Sequence, residues 1–194
     1  VLDVGAAQGL LAQTLAGSGL VLDAVEPNPQ WADAARALYR RVFAATVEQA
    51  ELPAGAYDAI VCADVLEHLV DPVAALGRLR RAAAPGATFF VSVPNVAHLA
   101  LRIMLLCGYF PPMERGPLDQ THLHFYTRTT AEQMLGRAGL RVAAAYATAA
   151  PLDELWPRGR GRRVFRMLVG CQHAAVRLWP RLMGYQWVLI AHAV

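Results

Sequence analysis

Lysine is missing altogether: the 18 basic residues of this 194-residue chain are all arginine. Beside the alanine-rich text this reads as coding bias and assigns no function. Cysteine is scarce too. Cys62, Cys107 and Cys171 are odd in number and lack the short paired spacings of a zinc site, which points to a reducing, cytoplasmic compartment. No apolar run comes near the roughly 20 residues of a membrane-spanning helix, and no charged-then-apolar leader opens the chain. Aromatic residues make up 8% and are not interleaved with arginines in a basic groove, so nucleic acid is not an expected partner. The chain begins without Met and within a strand-like pattern, so a preceding segment is expected to be absent.

What is present is apolar and unevenly charged. At 56% hydrophobic the chain can bury one good core, so residues 1–194 are expected to form a single domain. Residues 1–150 hold 11 Arg against 13 Asp and Glu, a net of −2, whereas residues 151–194 hold 7 against 2, a net of +5. The basic tail includes Arg158-Gly-Arg-Gly-Arg-Arg163 and then helical periodicity to Trp179, with Arg162, Arg166, His173 and Arg177 on one stripe. Val164, Leu168, Cys171, Ala175 and Leu178 form another. The apolar stripe is expected to pack on the domain, with peripheral contact between 158–179 and an anionic membrane as the alternative.

Val1-Leu-Asp-Val-Gly-Ala-Ala-Gln-Gly9 runs an apolar strand into a glycine-bearing turn and a helix from Leu10. A strand of this kind is covered on both faces, so Asp3 within it needs a reason. Gly5 and Gly9 let the backbone turn sharply toward a ligand that the helix N-terminus faces. Strand patterns recur at 20–25, 43–47, 57–62, 87–93, 140–146 and 185–191, separated by helical ones, which predicts an α/β doubly wound sheet. Asn28 and Pro29 open a helix reaching toward Val42, Asp71 and Pro72 open another, and Thr129-Thr-Ala-Glu132 reads as a capping box. Glu26, closing the second strand about 20 positions after the glycine turn, is placed to accept both hydroxyls of a ribose. The turn does not supply the Gly-x-Gly-x-x-Gly of a dinucleotide site.

The turn instead resembles the first motif of class I S-adenosylmethionine-dependent methyltransferases, an acidic residue followed by Gly-x-Gly-x-Gly, with Ala7 replacing the middle glycine. Ala7 fits at little cost only where the turn needs no left-handed residue. More specific is Asp64-Val-Leu-Glu67-His68-Leu-Val-Asp71-Pro72, which is similar to the segment after that family's fourth strand. Ser92-Val-Pro-Asn95 looks like its fifth strand end. Gly116-Pro-Leu-Asp119-Gln-Thr-His122-Leu-His124-Phe-Tyr126 resembles a type 11/type 23-like subgroup, similar to ubiquinone O-methyltransferase-like and polysaccharide-cluster enzymes, with His124 where Arg recurs. The resemblance runs from Val1 to about Tyr146.

It implies a Rossmann-like, seven-stranded sheet whose last strand is antiparallel, a lid insertion at 96–126 after strand five and a helical insertion at 151–184 before strand seven. S-adenosylmethionine is the implied cofactor, held by Asp3, Gly5, Ala7, Gly9, Glu26, Pro27, Glu48 and Asp64. Asn95, Asp119 and His124 are the implied acceptor-binding residues, the acceptor being a small molecule or a glycan-linked or lipid-linked group methylated on a hydroxyl oxygen. A hydroxyl must lose its proton, for which His122 is the first expected base and His68 the second, with Asp119 orienting the His122 ring. His122 and His124, two apart, would share a face of an extended segment, but no third ligand has suitable spacing, so no metal is expected. Two other classes compete. An inactive relative that only binds is suggested by Ala7, and a nicotinamide-dependent dehydrogenase is disfavoured by the missing third glycine.

Overall fold

A computed structural model describes residues 1–152 and 163–194. Seven strands, β1 (Leu2–Val4), β2 (Asp23–Val25), β3 (Arg41–Phe43), β4 (Tyr57–Ala63), β5 (Ala83–Pro94), β6 (Leu140–Thr148) and β7 (Gln186–Ala193), form one sheet in the order β3-β2-β1-β4-β5-β7-β6. Pairing is parallel from β3 to β5, and β7 inserts antiparallel to both β5 and β6. The expected topology is therefore observed. The chain moves outward in one direction from β1 to β3 and in the other from β4, leaving a crevice beyond the carboxyl ends of β1 and β4. Gly5, Glu26, Asp64 and Asn95 each follow directly on a strand ending at that side.

Seven α-helices among the described residues accompany the sheet: α1 (Leu10–Thr14), α2 (Pro29–Ala35), α3 (Pro72–Ala82), α4 (Leu99–Leu106), α5 (Arg128–Arg137), α6 (Arg163–Leu178) and α7 (Pro180–Met183). Leu76, Leu79 and Leu135 lie in the larger core with Leu2, Ile60, Phe89 and Trp187, while Ala12, Leu22, Ala35 and Tyr39 form a smaller one. Val25 joins the first and Ala24 the second, as adjacent strand residues facing opposite sides of the sheet must.

Several local expectations are corrected. The second helix stops at Ala35, and β3 covers Arg41–Phe43, not 43–47. Two buried carboxylates explain the shift. Tyr39 donates its hydroxyl to Asp3 at 2.5 Å, and Arg40 makes a two-pronged contact with Asp23 at 2.9 and 2.7 Å, to which Tyr57 adds a third donor at 3.0 Å. Satisfying both acids pulls residues 39 and 40 against the sheet and sets strand pairing from Arg41, which frees Thr46 to Glu48 to form a loop at the crevice. The capping box is Thr127 with Thr130, and Glu132 instead pairs with Arg128 at 2.7 Å. Pro180 does not simply end the basic helix, because it opens α7. Arg158, Arg160 and Arg162 lie outside the described residues.

Candidate active site

The glycine turn decides the shape of the crevice. Gly5 donates its backbone N–H to the Val25 carbonyl at 2.8 Å, binding the end of β1 to β2 and leaving the turn open above them. Gly5 has φ +74°, and a Cβ there would stand 2.6 Å from a methyl of Val65, so the absent side chain keeps a wall of the crevice in place. Ala7 adopts φ 45°. The turn does need a left-handed residue at this position, and Ala7 occupies it against a preference of roughly 1–2 kcal/mol.

Glu26 is the keystone beside it. One carboxylate oxygen accepts the Ala7 N–H at 2.7 Å and the other the Asn28 N–H at 2.8 Å, so a single buried acid fixes both the turn and the start of α2. An ionised carboxylate has about four acceptor sites, and two remain for a ligand. A cavity of about 740 Å³ opens here, lined by Gly5, Ala7, Glu26, Pro27, Glu48 and Asp64 among the expected residues. Trp31, Thr46, Val65, Val70 and Thr121 also line it without having been singled out in the sequence. Asp3 and Gly9 do not. Asp3 is buried, with its carboxyl pushed up to about 6 chiefly by that burial. Gly9 packs: a Cβ on it would meet a methyl of Leu38 at 2.5 Å.

A second cavity of about 590 Å³ adjoins the first, and Asp64 and His68 line both. Asp64 holds φ 54°, an uncommon conformation for a residue with a side chain. Ser92 donates its hydroxyl to the Asp64 carboxylate at 3.0 Å and the Gln186 amide donates to the same oxygen, so β5 and β7 fix the residue between the cavities. His68 ends a single 3-10 turn, Leu66–His68. Its Nδ1 lies 3.1 Å from the Thr121 hydroxyl and 3.2 Å from the Thr121 carbonyl, while that hydroxyl donates to Asp119 at 2.6 Å. Oxygens that can only accept from His68 place its proton on Nδ1 and leave Nε2 as the basic nitrogen.

His122 stands edge-on to His68, ring centroids 4.7 Å apart, and lines the second cavity with Asp119. Burial and then the neighbouring His68 hold its imidazole below the ordinary value of 6.5. Asp119 is kept below its usual range by the Thr121 hydroxyl and N–H, so its carboxylate orients Thr121, and through it His68, in place of the expected His122. Near the two rings lies Glu67, fully buried, with neither oxygen hydrogen-bonded among the described residues. Burial pushes its carboxyl up to about 8, so it is mostly protonated at neutral pH. Glu67, His68 and His122 have ligand atoms within 4.8 Å of one another, a grouping different from the His122 and His124 pair weighed in the sequence.

Two expected acceptor residues stand elsewhere. Asn95 is buried, its amide donating to the Gly184 carbonyl at 2.7 Å and its oxygen accepting from the Ala97 N–H at 3.1 Å, which ties β5 to the turn before β7. His124 stacks on Tyr126 and reaches the Val70 carbonyl at 3.4 Å, on a separate cavity, so it does not share a site with His122. Backbone N–H groups of Leu123 and His124 both donate to the Glu67 carbonyl, which bends the segment and parts the two rings. Arg115, Tyr185 and Gln186 line the second cavity in their place. Only chain folding brings these loops together, although an arginine within the insertion after β5 was a visible signal.

Comparison with known proteins agrees with this fold. A family model described as a methyltransferase domain matches residues 1–145. The ubiquinone biosynthesis O-methyltransferase of Xanthomonas campestris pv. campestris (strain B100) is 34% identical over 103 residues, 49% of this chain and 43% of the relative. That of Sodalis glossinidius (strain morsitans) is 36% identical over 102 residues, 49% of this chain and 41% of the relative. The matched stretch is thus less than half the length of these relatives. A SAM-dependent methyltransferase from Archaeoglobus fulgidus superimposes with a TM-score of 0.66 at 18% identity, covering 98% of this chain and 84% of that one. A Thermotoga maritima protein described as a SAM-dependent methyltransferase, possible histamine N-methyltransferase, gives 0.67 at 16%, covering 100% and 81%. With the family matched over most of its length and the sheet order characteristic of that fold, the chain belongs to the class I S-adenosylmethionine-dependent methyltransferases.

Proposed function

We propose that this domain methylates a hydroxyl oxygen of a small-molecule, glycan-linked or lipid-linked acceptor. The observation that carries the reading is the pair of adjoining cavities joined at Asp64 and His68. The 740 Å³ cavity suits the donor: Glu26 retains acceptor capacity for the ribose, the left-handed turn brings backbone to its edge, and Trp31 supplies an aromatic wall. When bound, S-adenosylmethionine supplies an already activated sulfonium methyl. The protein's own work is to hold the acceptor oxygen in line, exclude water and take up the proton that the hydroxyl loses as its new O–C bond forms.

We put His68 ahead of His122 as the base, on two observations. His68 lines both cavities and has its tautomer set by Thr121 and Asp119, whereas His122 faces only the second. Nε2 of His68 is the proposed proton acceptor, His122 a neutral partner beside it, and Arg115 the cation that would meet an anionic group on the acceptor. The test is calorimetry with S-adenosylhomocysteine and NAD, followed by methylation of a panel of phenolic, sugar and lipid-linked hydroxyls. S-adenosylhomocysteine binding without NAD binding, and turnover on a hydroxyl acceptor, are expected. Binding with no turnover on hydroxyls would overturn the reading, and transfer to an amine would correct the acceptor class.

A further inference from the structure

We propose that α6 docks this protein onto an anionic lipid surface. Helical spacing divides α6 into three faces. Phe165, Val169, Gln172 and Val176 face inward, with the Gln172 amide donating to the Ala150 carbonyl at 3.2 Å. Arg163, Arg166, His173 and Arg177 form an exposed polar face. Val164, Met167, Leu168, Cys171 and Leu178 form the third, and it is not packed. Its large apolar side chains, together with Trp179 just beyond the helix, are between 43% and 69% exposed. The stripe expected to lie on the domain therefore points outward.

Charge selects the occupant. No Asp or Glu occurs after Glu154, so nothing on this part of the chain offsets its arginines, and an acidic surface is the complementary partner. Apolar residues along one face, arginines beside them and a terminal tryptophan suit the boundary between lipid headgroups and acyl chains. A second copy of the helix would bring its own arginines alongside these. Topology adds a link to the site. The chain leaves the sheet for α6 through Thr148 and Pro151 and returns through Tyr185 and Gln186, and all four line the 590 Å³ cavity. A docked α6 thus tethers that cavity to the surface where an amphiphilic acceptor would reside. The docking itself does not depend on methyl transfer and is measured without turnover.

The test is sedimentation of the whole chain with phosphatidylcholine vesicles, with and without phosphatidylglycerol, at low and high salt. Binding is expected to the anionic vesicles only and to weaken as salt rises. Each of Arg163→Gln, Arg166→Gln and Arg177→Gln should lower the partition coefficient about fivefold, and the triple variant roughly 100-fold. Met167→Asp with Leu168→Asp should abolish binding while circular dichroism and S-adenosylhomocysteine affinity stay unchanged, which separates docking from folding and from the donor site. Failure of the parent to sediment with anionic vesicles at low salt would overturn the proposal, as would binding indifferent to the arginine changes. Dimerisation lost in the Met167→Asp and Leu168→Asp variant, without vesicle binding, would assign the face to a second copy.

Discussion

Replacing Glu26 tests the donor site and the architecture of the turn together, and the two effects can be separated. In the parent each carboxylate oxygen already accepts one backbone N–H, from Ala7 and from Asn28. Glu26→Ala removes both acceptors, and an N–H left unpaired away from water costs roughly 1–3 kcal/mol. Both amides are only partly buried, so water recovers some of this and a loss of stability near the low end, about 1–2 kcal/mol, is expected in the unliganded domain. Donor affinity should fall by a further 1.5–3 kcal/mol or so, the range for a hydrogen bond to a charged group, which is roughly 10-fold to 150-fold in Kd. Glu26→Gln keeps one oxygen and the shape. It should retain more of the stability, yet still lose donor affinity, because its NH₂ cannot accept from a ribose hydroxyl. Chemical denaturation without ligand and calorimetry with S-adenosylhomocysteine, at a temperature where all variants are folded, measure the two effects. Parental affinity in folded Glu26→Ala would refute the assignment of this carboxylate to the donor.

Ala7→Gly relieves a left-handed alanine and is expected to change stability by no more than about 1 kcal/mol, in the stabilising direction, since relief exceeds the added unfolded-state entropy; a loss above 1 kcal/mol in thermal unfolding would contradict the strain. His68→Ala should cut turnover roughly 10²-fold to 10⁴-fold with donor affinity nearly unchanged, and more severely than His122→Ala; equal or reversed losses in single-turnover rates would restore His122 as the base. His122, held below 6.5 by burial, should remain neutral through pH 7 and acquire charge only in more acidic solution, which NMR titration of its ring protons would show. Asp3 has a raised folded pKa, so the folded state holds its proton more tightly than the unfolded one. Its cost is absent below about pH 4, grows as pH rises toward about 6 and then levels at about 3 kcal/mol, so Asp3→Asn should be more stable than the parent by up to that amount above pH 6 and no more stable below pH 4. A pH-independent difference in denaturation midpoint would remove Asp3's charge from the account.

Strand and helix order and the position of Glu26 were legible in the sequence because each rests on local pattern, whereas the antiparallel last strand was expected only through the family resemblance. An apolar run bounded by glycines, an acid at a strand end and a proline after Asn or Asp state their structural consequence within a few residues. Boundaries were less legible where a side chain bonds across the sheet. The 36-residue separation of Tyr39 from Asp3, and of Arg40 from Asp23 by 17, fixes the end of α2 and the start of β3, and no local periodicity encodes it.

The sequence by itself determined the family, the glycine turn and the acid that closes the second strand, because each is carried by a short continuous motif. Only the tertiary structure decided how the histidines are arranged. His68 and Thr121 are 53 residues apart, and their contact, together with the approach of buried Glu67 to His122, exists only once the insertion after β5 folds back over the end of β4. The same holds for α6. Its periodicity announced an apolar stripe and a basic one, but a helix with more than one apolar face gives no local sign of which will meet the sheet. Packing chose Phe165, Val169 and Val176, and so left Val164, Met167 and Leu168 facing outward.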